Sequence, residues 1–429
     1  MSYPGREQTS YRMRRVGEVG DLPGGGQVVV EGGFTYVGHM DPPHGTTILD
    51  VSDPRAPKVV SQLTLEGQGR ATHTHKVRVA GDLMVVNVER YDRHFKHKAT
   101  LIDAAKGALR AELGRDPGDE DIARAVGVPP ERMGDLWDAY REDYRDGGFK
   151  VYDIADRANP REIAYVRTGG FGVHRFDLDE RYAYISTEME GYVGNILVVY
   201  DMADPTRPAE VSRWHIPGQH VAGGETPTWE GYKNRLHHGM RVGDEIWCSY
   251  WQAGVRVLDC SDMANLKLLG EYDYHPAIPE PTHTVLPFLN EIGGRRYAVA
   301  VDEEHTHRHG ALHGFMWVLD VTDLSDIKAV SAFDVSERDS PWSRAGGRFG
   351  AHQFRERLDS TLVHLTWFSG GVRIVDCADP HKPEEVAHFI PEPRGRFPSP
   401  QSNDIDLDER GLIYVIDRNL GLDVLEHQA

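Results

Sequence analysis

The stretch TTILDVSDPRAPKVV, residues 46–60, reads as an apolar strand, a D-x-x-D turn and a second strand. The same phrase returns as FKVYDIADRANPREI at 149–163, LVVYDMADPTRPAEV at 197–211 and VRVLDCSDMANLKLL at 255–269. It recurs again as MWVLDVTDLSDIKAV at 316–330 and VRIVDCADPHKPEEV at 372–386, and a shortened copy, GLDVLEH, lies at 421–427. Upstream of each copy run two more short alternating segments, such as KVRVAG and DLMVVNV between residues 75 and 88. Each unit therefore holds four strands, A to D. Fixed-period repetition of this kind is the mark of a repeat architecture. Seven four-stranded units predict an all-β, seven-bladed β-propeller, since radial repetition protects sheet edges. The seventh unit lacks a strand D. The segment TSYRMRRVGEVGD at 9–21 is a free strand, and the reading assigns it to complete the last blade and close the ring. Residues 1–429 then form one domain.

The repeated aspartates Asp50/Asp53, Asp153/Asp156, Asp201/Asp204, Asp259/Asp262, Asp320/Asp323 and Asp376/Asp379 resemble catalytic carboxylate pairs. Their recurrence in six units argues instead for turn chemistry, in which Asp accepts nearby backbone N–H groups. Cys260 and Cys377 share one slot of the C–D turn and read as structural.

Composition sets the outer bounds. A net charge of −19 over 429 residues argues against nucleic acid and anionic membrane as partners. No run approaches the length of a membrane span. The first residues show no apolar signal core, and three cysteines make no disulfide framework. The expectation is a soluble cytoplasmic protein. No G-x-G-x-x-G or G-x-x-x-x-G-K-[ST] fingerprint and no G-x-S-x-G elbow is present.

The repeated phrase resembles the LVIVD-repeat family of propellers along nearly the whole chain. That resemblance implies architecture and says little of activity. The D-P-x-x-P phrase is similar, more weakly, to segments of selenium-binding protein/methanethiol oxidase propellers.

Aligning the start of strand A in each unit gives HKVRV at 75, HRFDL at 174, HGMRV at 238, HTVLP at 283 and HQFRE at 352. Units one and seven have GQVVV at 26 and NDIDL at 403. Strand A is the innermost strand of a blade, so its first residue faces the central channel. His75, His174, His238, His283 and His352 should converge at one mouth as metal ligands. His73 and His237 fall outside this register and are expected to point elsewhere. Imidazole-rich sites suit a transition metal. Iron or copper leads for a histidine-only shell, with zinc or manganese as alternatives, and a polar channel plug is the structural alternative. Several His around an axial metal would resemble carotenoid-cleaving dioxygenases, also seven-bladed, although none of that family's local motifs occurs here.

The B–C loops should wall the same face. They bring NVERYDRH at 87–94, STEMEGYVG at 186–194, SYWQAG at 249–254, DEEHTH at 302–307 and TWFSGG at 366–371. Glu188 and Glu303 are the candidate acid–base or imidazole-orienting groups. Trp251, Trp367 and Tyr91 are the candidate substrate wall, the tryptophans alternatively capping blade cores. His305, His307 and His309 form a denser cluster, read as a mobile loop or a second cation site. One loop of blade two carries a helical insertion, 103–147, with seven Lys and Arg against twelve Asp and Glu. It is similar to small helical modules of sigma factors, but its net charge of −5 opposes phosphate contact. It reads as a lid over the histidine face or as a contact between copies of the chain.

The sequence thus points to a metal-dependent enzyme acting on a small organic, aromatic or apolar substrate, with an oxidoreductase or oxygenase favoured. A zinc-type hydrolase or lyase with the same site is the alternative, and a non-catalytic protein-binding scaffold is the other.

Overall fold

A computed structural model describes residues 7–65, 72–305 and 307–428, the His94 side chain excepted. Ala71 of the ATHTHKVRV segment and Thr306 lie outside them.

Seven antiparallel sheets follow one another along the chain. Blade 1 is Gly25–Glu31, Phe34–His39, His44–Asp50 and Lys58–Thr64. In blade 2 strand A is split into Thr72–His73 and Val77–Ala80, followed by Leu83–Arg90, Gly148–Asp153 and Arg161–Arg167. The innermost strands of blades 3 to 7 are Val173–Leu178, His238–Val242, Thr282–Pro287, Gln353–Phe354 and Ser402–Leu407. The chain is therefore a seven-bladed β-propeller.

The repeat explains the regularity. All twelve aspartates of the D-x-x-D turns accept the N–H of the residue two positions on, as Asp50 does from Ser52 and Asp53 from Arg55. Their carboxylates are consumed in building turns. Upstream, the C–D ladder slips by one residue at the same place in six blades, between Ile48/Leu49 in blade 1 and Ile374/Val375 in blade 6. Such a bulge increases local twist, which lets successive blades stack. Cys260 and Cys377 are buried beside these turns, and burial pushes both thiols up, Cys377 to about 12.

The N-terminal segment forms two strands, because Arg12 takes a left-handed conformation at φ 52°. Thr9–Tyr11 pairs with Glu384–Ile390 as a fifth strand of blade 6. Met13–Pro23 pairs with Leu420–His427 as the outermost strand of blade 7.

The B–C loop of blade 2 holds helices α1 (Arg93–Ala99), α2 (Ile102–Leu113), α3 (Asp119–Val126) and α4 (Met133–Arg141). Helix formation thus begins before residue 103, the boundary read from sequence. The earlier turn is RHFKHKA, whose Phe95 joins Ile102, Ile122 and Leu136 in a small separate core. Helix α3 starts where Gly118 N–H donates to the Asp121 carboxylate at 3.0 Å. No helix among the described residues is long and apolar enough to cross a membrane.

Candidate metal centre

The cross-strand ladder fixes which residue of each strand A faces the mouth. Gln27, Arg175, His238, Thr284, Gln353 and Asp404 pair with Gly38, Ser186, Ser249, Val301, Thr366 and Ile416. Lys76 meets Asn87 in the same way. The residue before each of these occupies the mouth: Gly26, His75, His174, His237, His283, His352 and Asn403. The rings follow one another around the channel, with centroids 5.3 Å apart for His75–His174, 4.9 Å for His174–His237, 4.0 Å for His237–His283 and 4.3 Å for His283–His352.

Blade 4 therefore contributes His237, not His238. Side chains alternate along a strand, so one residue of register turns the ring away. His238 points inward to Arg175 Nε at 3.1 Å and Phe176 O at 3.3 Å. The signal lay in the A–B turn. In blades 1, 2 and 4 a glycine with positive φ opens a two-residue turn, at Gly32, Gly81 and Gly243. Counting back six residues from each gives Gly26, His75 and His237.

His73 also belongs to the mouth, contrary to its expected place. Blade 1 has no room for a side chain at Gly26, where a Cβ would lie within 2.9 Å of His75. His73 stacks on His75 at 4.1 Å, and its Nδ1 lies 3.0 Å from Met40 O of blade 1. It fills the sector that Gly26 leaves open.

Two carboxylates complete the mouth. Glu89 Oε2 lies 3.1 Å from His73 Nε2, 3.8 Å from His75 Nε2 and 3.1 Å from His174 Nδ1. Glu303 Oε1 lies 3.9 Å from His352 Nε2 and pairs with Arg348. His73, His75 and Glu89 form one group able to hold a metal ion, and His283, Glu303 and His352 form another. Blade order places them on opposite sides of the ring. The mouth is thus not a histidine-only shell, as the sequence reading had it. Glu89 went unmarked inside NVERYDRH because a glutamate at a strand end is ordinarily solvated.

Burial holds His75, His237 and His283 well below their ordinary pKa and brings His174 and His352 down to about 3. These rings are neutral at physiological pH and offer lone pairs. Burial alone would raise Glu89 and Glu303, but the guanidiniums of Arg93 and Arg348 override it and keep both carboxyls well below their usual range. Neutral imidazole beside carboxylate is the donor set a divalent transition metal needs.

One residue deeper lies a second polar layer. Lys76 Nζ donates to Gly26 O at 2.8 Å, Thr284 Oγ1 to Gln353 Oε1 at 2.6 Å, and Gln353 Nε2 to Glu356 Oε1 at 2.9 Å. Arg78 and Arg175 both pair with Glu356.

A cavity of about 490 Å³ opens above the ring, lined by the mouth imidazoles, Glu89, Glu303, Trp251 and Tyr91, with Lys76, Arg90, Arg93, Lys98, Arg348 and Arg418 as its cations. Tyr91 donates to Asp41 Oδ1 at 2.9 Å and stands edge-on to His73. A second cavity of about 650 Å³ shares Trp251, Lys98 and His305 with the first and adds Tyr232, Arg235, His97 and Leu101. Trp251 packs 5.2 Å from His237. Trp367 is instead fully buried in the blade core. The turns YWQAG and WFSGG superpose bond for bond: Tyr250 N–H donates to Gly254 O and Trp367 N–H to Gly371 O, each at 2.7 Å. Trp251 is therefore equivalent to Phe368, which lies 4.8 Å from His352, and both take positive φ. Glu188 also falls away from the ring. It accepts Phe171 N–H at 3.0 Å and lies 3.4 Å from His97 Nε2, beneath α1.

One blade of this ring can be matched to a known repeat. Residues 25–64 match the family model of the LVIVD repeat. The matched LVIVD repeat coincides with blade 1, strands A to D. No curated protein matches the sequence. Among solved structures, the WD40 β-propeller domain of Doa1 shares 7% identity at a TM-score of 0.53, with 96% of each chain covered. A chain of the mitotic checkpoint complex shares 8% at 0.51, covering 99% of this chain and 96% of that one. The periplasmic gluconolactonase PpgL of Pseudomonas aeruginosa shares 11% at 0.51, covering 95% and 89%. At these identities the likeness is one of fold alone.

Proposed function

We propose that this propeller is a metal-dependent enzyme that acts on a small organic anion at the channel mouth. The observation that carries the reading is the pair of buried His–His–Glu groups. They face each other across a channel mouth whose imidazoles come from five blades. Two imidazoles and one carboxylate with open positions suit iron in oxidoreductases, and the same set serves zinc in hydrolases. Iron chemistry is favoured over copper, because the carboxylate replaces an all-imidazole shell. A bound metal would supply Lewis acidity or redox change at the substrate.

The residues around the mouth supply the rest. Asn87 Nδ2 lies 3.2 Å from His75 Nδ1 and His283 O lies 2.5 Å from His237 Nδ1, contacts that orient the rings. Arg418 is half-buried, donates to Asn403 Oδ1 at 3.3 Å, and makes no ion pair among the described residues. Burial and the neighbouring Arg348 bring its pKa down to about 10, so it remains a cation awaiting a counter-charge. A substrate carboxylate satisfies it. Trp251 and Tyr232 offer flat apolar faces to the remainder of the molecule. Helix α1 lends Arg93 and Lys98 to the wall, which favours the insertion as a lid.

Elemental analysis of protein purified without a histidine tag tests the reading. Iron is expected. Zinc at the mouth would move the assignment to hydrolase or lyase, and a mouth that binds no transition metal would sink it.

A further inference from the structure

A second cluster lies outside the channel mouth, in the B–C loop of blade 5 and the connection from blade 5 to blade 6. The carboxylate of buried Glu304 meets two imidazoles: His307 Nδ1 at 2.6 Å and His313 Nδ1 at 3.0 Å from Oε1. One atom from each of the three residues lies within 4.8 Å of the others. The rings of His307 and His313 stack at 5.2 Å, so their Nδ1 atoms face the carboxylate from the same side.

The far sides of both rings are also provided for. His313 Nε2 lies 3.1 Å from Glu337 Oε1, and His307 Nε2 lies 3.1 Å from Ser343 O. Metal-ligating histidines characteristically donate their other N–H to a carboxylate or a backbone carbonyl, which fixes tautomer and ring orientation. Here each ring has one. The carboxylate is fixed in the same manner: Gly314 N–H donates to Glu304 Oε2 at 3.1 Å, and a Cβ on Gly350 would sit 2.2 Å from that oxygen. Arg344 in turn pairs with Glu337 at 2.9 Å.

We propose that Glu304, His307 and His313 form a zinc site separate from the channel mouth, with Glu337 and Ser343 O orienting its histidines. Two Nδ1 atoms and one carboxylate oxygen are a zinc donor set that leaves a fourth position for water. The ion would replace the hydrogen bonds of both Nδ1 atoms to Glu304 with three coordination bonds, the protons at Nδ1 leaving to solvent. It would close the 303–315 loop on itself and fix the staple that this loop makes to the 334–351 connection through Glu337, Ser343 O and the Glu304 N–H bond to Ala351 O at 2.9 Å. Because Glu303 and His352 border these segments, the staple would also hold one wall of the mouth.

The test uses the full chain without a tag. Zinc content is measured for wild type, His307→Ala, His313→Gln and the mouth variant His352→Ala. The expected result is loss of about one zinc per chain from the two loop variants and none from His352→Ala. Thermal melting serves as a second readout. Chelation should lower the midpoint of the wild type, and zinc should restore it, while His307→Ala should respond to neither. Wild-type zinc content in both loop variants would overturn the proposal, as would an unchanged zinc-dependent melting shift in His307→Ala. In those cases the cluster is an ion-pair network only. Loss of zinc from His352→Ala alone would place the metal at the mouth and equally refute the loop site.

Discussion

The decisive residue-scale result is the exchange of His238 for His237. His237 Nδ1 bonds to His283 O, and its ring lies 4.0 Å from that of His283, whereas His238 is buried against Arg175 below the mouth. His237→Ala should weaken the mouth metal's affinity about 10–100-fold, because His237 positions the ligand His283. His238→Ala should spare the metal and act on stability, because it leaves Arg175 Nε with one partner fewer. Metal titration of both variants decides this, and loss of metal from His238→Ala but not from His237→Ala would reverse the assignment. Four of the five mouth histidines on strand A were legible in sequence, as was Glu303. His237 was not, because blade 4 offers two adjacent histidines and an apolar alignment accepts either one. Glu89 and His73 were illegible for a different reason. Their role depends on a neighbouring blade, through Met40 O and through His174, and sequence spacing within one repeat carries no such information.

At the scale of elements, the D-x-x-D turns were readable because each is local. A carboxylate bonds its own chain two residues on, six times over. The B–C loops were less so. Equating Trp251 with Trp367 fails because WFSGG and YWQAG align by their closing glycines, which puts Phe368 at the mouth. The insertion presents its charge in the same non-local way: it is acidic overall, yet turns Arg93 and Lys98 toward the cavity. Replacing residues 92–146 by a short Gly-Ser linker should leave the propeller cooperative, since the helices pack around a core of their own. The same change should speed removal of mouth metal by a chelator. Unchanged chelation kinetics together with a shift from oligomer to monomer in sedimentation would identify the insertion as a contact between copies instead.

At the scale of the whole molecule, the ring meets itself between blades 7 and 1. There Asp406 Oδ2 accepts Val30 N–H at 2.8 Å and Oδ1 accepts Leu407 N–H at 2.9 Å. Burial pushes the Asp406 carboxyl up to about 6. Its unfolded value is about 3.9, so the folded chain holds an extra proton between these values and loses stability as pH rises through them. The loss from this one group is about 3 kcal/mol. Asp406→Asn keeps an acceptor oxygen and removes the ionisation. Urea unfolding at pH 4 and at pH 7 should therefore show a smaller difference for the variant than for wild type, and identical differences would refute the assignment.

The same closed ring brings two His–His–Glu groups to opposite sides of one channel mouth, and the proposed function rests on that convergence. The most direct measurement is the iron content of untagged wild type beside a double variant, His75→Ala with His352→Ala, which takes one ligand from each group. The account predicts about two irons per chain in the wild type, one for each group, and none in the double variant, with the fold retained by circular dichroism. A folded double variant that keeps the wild-type metal content would contradict it.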